Sequence, residues 1–121
     1  MRTIGDPFEQ RACAELEQAG LSLLARNYNT RHGELDLVMR DGDTVVFVEV
    51  RYRQSAGHGD AAASVTTSKQ ARLIQAAGHW LAAHPQHARR ACRFDVVSYD
   101  GPADAIRRNW LRGAFEAAST P

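Results

Sequence analysis

The strongest hydrophobic pattern in the chain is VVFVEVRYR at 45–53, where Val45, Val46, Phe47, Val48 and Val50 are types that suit a pleated, partly buried surface. A strand is predicted there. Its charged residues, Glu49, Arg51 and Arg53, need a physical reason to sit in it.

Upstream, Asp6 suits a helix N-cap, Pro7 the first helical position and Glu9 the third, a capping-box pattern. Phe8, Ala12, Leu16 and Ala19 recur at helical spacing, Cys13 widens that stripe, and Gly20 closes the helix. Strands are predicted at 21–28, 34–40 and 44–53, the last two joined by a two-residue Asp41-Gly42 hairpin loop. A small-residue loop with two glycines follows at 54–64. Thr67 with Gln70 predicts a second capped helix, with Leu73, Ile74, Ala77, Trp80 and Leu81 on its apolar face and an end before His84-Pro85. His84 and His87 mark that terminus rather than a metal site. Residues 92–99 predict a buried strand, and the tail after Gly101-Pro102 a short amphipathic segment around Trp110, Leu111 and Phe115. The order implies one α/β domain over 1–121, a mixed β-sheet flanked by α-helices.

Strand side chains alternate faces, so Val45, Phe47, Glu49, Arg51 and Arg53 share one side and Val46, Val48, Val50 and Tyr52 the other. With Asp41-Gly42 as the loop, opposed residue numbers sum to 83, which sets Asp36 against Phe47 and Glu34 against Glu49. Glu34, Asp36, Glu49 and Arg51 then share a face, with Asp36 and Glu49 diagonal at roughly 7–8 Å between Cα atoms. Opposed like charges destabilise a sheet unless a cation sits between them. Clustered carboxylates beside an arginine suit a hard cation, Mg2+ or Mn2+, better than zinc. The same residues also read as a salt-bridged patch on a solvated strand face, and alternation alone does not choose.

Composition adds little. The net charge of +1 excludes neither nucleic acid nor protein partners. The N-terminus MRTIGDPFEQ lacks a secretory pattern, and no apolar run approaches the roughly 20 residues of a membrane span, so a soluble cytoplasmic protein is expected. Cys13 and Cys92 have no metal-ligand spacing and are expected to be small buried hydrophobes.

GELDLV at 33–38 followed by VFVEVRYR at 46–53 resembles the paired signature of the YraN family of small bacterial proteins. That family's fold is similar to archaeal Holliday junction resolvases, within the PD-(D/E)xK nuclease superfamily. Gly5, Glu9, Gly20, ARN at 25–27, VTTSKQARL at 65–73 and RFDVV at 93–97 stand in the family's order and spacing. The resemblance implies a restriction-endonuclease-like fold, Asp36 and Glu49 as metal ligands, and Glu9 as a helix carboxylate reaching the site, although its cap pattern explains Glu9 equally well. Glu34 matches the motif too. Lys69 and Gln70 fall in the helix motif and, with Arg51 and Arg53, are the residues expected to meet nucleic-acid phosphates. The chain departs from the family at three places: Arg51 replaces the superfamily's usual lysine, Phe8 a glycine and His58 an aromatic residue. Arginine stays charged and cannot act as a base, which leaves Lys69 as a substitute. His32 and His58 flank the site in sequence.

Two functions fit these residues. One is an Mg2+- or Mn2+-dependent DNA endonuclease, branched DNA included, with Glu9, Asp36, Glu49, Arg51 and Lys69 as its catalytic set. The other is a nucleic-acid-binding module of the same fold acting through a DNA-processing partner. A pure binder gains nothing from the acidic cluster, because phosphate affinity comes from lysine and arginine. Arg89, Arg90 and Arg93, or Arg107, Arg108 and Arg112, offer candidate backbone contacts. A junction's two symmetric cleavage positions suit a homodimer, but no residue reports an interface.

Overall fold

A computed structural model describes residues 6–54 and 63–117. Helix α1 (Pro7–Gln18) precedes strands β1 (Ser22–Asn29), β2 (Glu34–Asp41) and β3 (Thr44–Arg53), and helix α2 (Thr67–Ala83) precedes β4 (Cys92–Asp100) and β5 (Arg107–Phe115). The five strands form one sheet in chain order, with β3 and β4 parallel and every other pair antiparallel. Helix α2 makes the crossover between the parallel pair. This mixed sheet with two helices is the expected α/β architecture, consistent with a restriction-endonuclease-like fold.

Each helix covers one face of the sheet. Ala12, Cys13, Leu16 and Leu21 pack with Leu37, Met39, Val46, Val48, Val97 and Tyr99. Leu73, Ala76, Ala77 and Trp80 pack on the other face with Leu35, Val38, Val45, Phe47, Phe94 and Val96. The Asp6 carboxylate caps α1 by accepting the N–H groups of Phe8 and Glu9 at 3.0 and 3.2 Å. At the other end Gly20, with φ +104°, donates its N–H to the Glu17 carbonyl and Leu21 donates to Leu16, the two bonds of a Schellman motif.

Several details differ from the sequence reading. The β2–β3 loop is Gly42-Asp43, with Asp41 opposite Thr44, so opposed numbers sum to 85 rather than 83. Gly42 takes the positive φ of the first loop position, while Arg93 holds the Asp41 carboxylate at 2.9 Å and keeps that residue in the strand. The α2 cap is Thr66, whose hydroxyl accepts the Lys69 N–H, and Gln70 instead donates its side-chain amide to the Val65 carbonyl at 3.0 Å. Cys13 is buried as expected, but Cys92 is exposed at the first position of β4.

The tail forms a full nine-residue strand, β5. A register shift opposite Phe94 and Val96, with Gly113 at φ +59°, breaks its alternation. Trp110, Leu111, Ala114 and Phe115 therefore fall at a spacing that mimics a helix. Asp95, fully buried, fills the irregularity: it accepts the Gly113 N–H at 3.0 Å, the Trp110 indole N–H at 2.9 Å and the Arg93 Nε–H at 3.0 Å.

Asp95→Ala leaves three donors without their acceptor, and an unpaired buried group costs more than the bond it made. The expected loss is about 3 kcal/mol, read as a lower urea midpoint with an unchanged slope.

Candidate active site

The core pattern of β2 is interrupted at one place. Leu35 and Val38 lie in the core under α2, whereas Leu37 and Met39 lie under α1, so alternation breaks between Leu35 and Leu37. Asp36 sits at this break. On the neighbouring strand the facing position is Asn27, between the pairs Arg26–Leu37 and Tyr28–Leu35, and it carries a left-handed φ of +52°. The β2–β3 ladder runs from Asp41–Thr44 to Leu37–Val48, and beyond its end the Val50 N–H is taken by Asp36 Oδ2 at 2.9 Å.

Glu9 reaches the same place from α1. It occupies the helix's inward stripe with Ala12, Cys13 and Leu16, and is 1% exposed. One carboxylate oxygen from each of Glu9, Glu34 and Asp36 lies within 4.8 Å of the other two. Buried charges need partners, and three carboxylates this close form a cation-seeking group. Phe8 stacks on Tyr52, with centroids 4.5 Å apart and rings 8° from parallel, and tilts against Tyr99. Tyr99 in turn donates its hydroxyl to Glu15 at 2.7 Å. Phe8 thus anchors the first turn of α1 next to Glu9.

Glu49, 6% exposed, approaches from β3 on the α2 side. Its Oε2 meets the Lys69 ammonium at 2.9 Å and the Arg51 guanidinium at 3.4 Å. Lys69 stands in the first turn of α2, on the N–H that Thr66 caps. The Arg51 Nε is buried with no hydrogen-bond partner among the described residues.

Glu34, Asp36, Glu49 and Lys69 line a cleft of about 340 Å³, whose other wall is Thr30, Arg31, His32 and Gly33 of the β1–β2 turn with Arg72 of α2. Sequence reasoning missed Arg31 and Arg72. The spacing of Lys69 and Arg72, one helical turn apart, was the available signal for the second. With numbers summing to 85, Glu49 rather than Phe47 falls in line with Asp36, and Glu34 lies beyond the ladder instead of opposite Glu49. The shift is two residues, so the face assignment of β3 is unchanged.

The remaining candidates lie elsewhere. Arg53 forks onto Asp100 at 2.7 and 3.1 Å, Gln70 is tied to the backbone of Val65, and His58 lies outside the described residues. Arg90 and Arg93 pair with Asp43 and Asp41 at the β2–β3 loop, at the far end of that hairpin from Asp36. Arg112 lies over the Trp110 ring.

Residues 8–99 match the model of the uncharacterised protein family UPF0102, which is the YraN family. The chain belongs to UPF0102. The matched span contains Glu9, Glu34, Asp36, Glu49 and Lys69 and stops short of β5. A UPF0102 protein of Stutzerimonas stutzeri is 52% identical over 113 residues, 93% of this chain and 94% of its own. One from Xanthomonas campestris pv. campestris is 54% identical over 92% of this chain and 89% of its own, and one from Nitrosococcus oceani 47% identical over 98% and 95%. Among the described residues of this UPF0102 chain, no helix is long and apolar enough to cross a membrane.

Asparagine retains an oxygen that can accept the Val50 N–H, so Asp36→Asn is expected to shift the thermal midpoint by no more than a few degrees. Asp36→Leu removes the acceptor and is expected to cost about 1–3 kcal/mol in urea unfolding. The Asp100 carboxyl is held below its ordinary value of 3.8, chiefly by its hydrogen bonds from Arg53. A depressed carboxyl stabilises the fold above its unfolded value and loses that contribution as pH falls through the folded one. The stability gap between wild type and Asp100→Asn should therefore narrow below pH 3.8, as urea titrations across that range will read.

Proposed function

We propose that this chain is a magnesium- or manganese-dependent endonuclease that hydrolyses phosphodiester bonds of DNA in the cytoplasm, branched forms included. The observation that carries this reading is the approach of Glu9 to Glu34 and Asp36, two carboxylates that line a cleft together with Glu49 and Lys69. An all-carboxylate donor set without histidine or cysteine fits a hard divalent cation and argues against zinc. Asp36, Glu9 and Glu34 would hold the ion, and Glu49, the second ligand implied by the family resemblance, stands beside them under Lys69 and Arg51. When bound, the metal supplies Lewis-acid stabilisation of the phosphate and lowers the pKa of its water.

The chain's own groups supply the rest. Lys69 is the lysine cation of the site: its ammonium can orient a water or donate to a phosphate oxygen while Glu49 keeps it in place. Arg51 brings a guanidinium cation that can stabilise the charge that builds on the phosphate. Asp36 is fixed by the Val50 N–H, so it meets the ion without reordering. The second reading is a nucleic-acid-binding module, favoured by the pairing of both Lys69 and Arg51 with the one carboxylate of Glu49.

The test is cleavage of labelled single-stranded, duplex, flap and four-way-junction DNA with Mg2+ or Mn2+. Asp36→Asn and Lys69→Met are each expected to lower the rate on the order of 10²-fold or more, and Arg51→Lys to retain activity. A wild type that is silent on all four substrates, with Arg51→Lys silent too, would favour the binding module.

A further inference from the structure

The wall of the cleft facing the carboxylates is basic, and its residues are not used by the reaction just proposed. Arg31 sits at the tip of the β1–β2 turn. The Thr30 hydroxyl ties that turn together, accepting the N–H groups of His32 and Gly33 at 3.0 and 3.1 Å and donating to the Gly33 carbonyl at 2.9 Å. The turn lies against α2: a Cβ at Gly33 would stand at ordinary contact distance, 3.5 Å, from the Arg72 Cβ. Arg31 and Arg72 are thereby brought to one rim of the cleft, both exposed.

Among the described residues neither makes a salt bridge, although Glu34 and Glu49 line the same cleft and Glu49 is engaged by Lys69 and Arg51 instead. Two guanidinium groups held on a fixed rim, beside acids they do not pair with, are placed to take an anion that enters from outside. Guanidinium forks match phosphate oxygens in a bidentate way, and a nucleic-acid backbone presents such groups at regular intervals.

We propose that Arg31 and Arg72 form a second phosphate subsite, which grips the DNA backbone next to the phosphate that faces Asp36. This rests on the reading of the cleft as a phosphodiester site and assigns the strand a path, from the carboxylates across the cleft to the β1–β2 turn. Thr30 acts as the positioning residue for Arg31 through the hydrogen bonds of its hydroxyl. The subsite reads backbone charge and not base sequence, because phosphate contacts set register without sequence information.

The experiment is fluorescence anisotropy of labelled duplex and single-stranded DNA across a salt series, with calcium in place of magnesium. It compares wild type, Arg31→Ala, Arg72→Ala, Arg72→Lys and, as a control, Arg112→Ala. Each alanine variant of the pair is expected to bind several-fold more weakly and to flatten the plot of log affinity against log salt by about 0.9 on duplex and about 0.7 on single strands. Arg72→Lys should keep most of the slope, and Arg112→Ala should match wild type. Unchanged slopes for Arg31→Ala and Arg72→Ala, or a wild type that binds neither probe, overturn the subsite. Cleavage that depends on Asp36 with unchanged arginine slopes would sink the subsite alone; altered slopes without cleavage would leave it standing and sink the nuclease reading.

Discussion

The Val50 N–H lies where β2 stops pairing with β3, and the Asp36 carboxylate takes it in place of a strand carbonyl. A buried backbone donor must find an acceptor, so this bond lets the two strands part without an unsatisfied group. The rest of the cleft depends on that parting. Where they part, Leu35 and Leu37 turn to opposite cores, Asn27 of β1 is left-handed, and Glu34, still paired with Asn29 of β1, lies beyond the β2–β3 ladder. One carboxylate therefore both closes a backbone defect and forms the centre of an acidic group.

The two helices bring opposite chemistry to this point from opposite faces. Helix α1 delivers a carboxylate, Glu9, on a stripe that is otherwise apolar, and its first turn is anchored by the Phe8–Tyr52 stack. Helix α2 delivers cations, Lys69 inward to Glu49 and Arg72 outward to the rim. The end of the β2–β3 ladder between them is both floor and divider. A site composed this way has its acids fixed by burial and its bases on longer, more exposed side chains, which suits rigid binding of a small ion and adaptable contact with a larger anion.

Much of this was legible in the residues. Alternation along 45–53 correctly assigned the two faces of β3, the capping pattern at Asp6 located α1, and the spacing of GELDLV and VFVEV singled out Asp36 and Glu49. The pairing of β2 with β3 was misjudged by two residues because the Asp41-Gly42 signal does not reveal that Arg93, far away in sequence, holds Asp41 in its strand. The β5 strand was hidden by a bulge whose cause, the Asp95 carboxylate, lies on another strand. Glu9 was ambiguous between cap and site because both uses place a glutamate at the third helical position; its burial and its approach to Glu34 and Asp36 are set by packing that local pattern does not display. Local pattern, in short, reports on periodicity but not on long-range hydrogen bonds that override it.

Strand β5 lies at an edge of the sheet, where a row of backbone groups faces outward. Arg107, Arg108 and Arg112 are all exposed along it, and Gly113 bends it by a bulge. Charged side chains and bulges are the means by which edge strands resist joining the edges of other sheets. The arginines of this tail thus have a use that involves no ligand: their charge disfavours the pairing of β5 with the edge of another sheet.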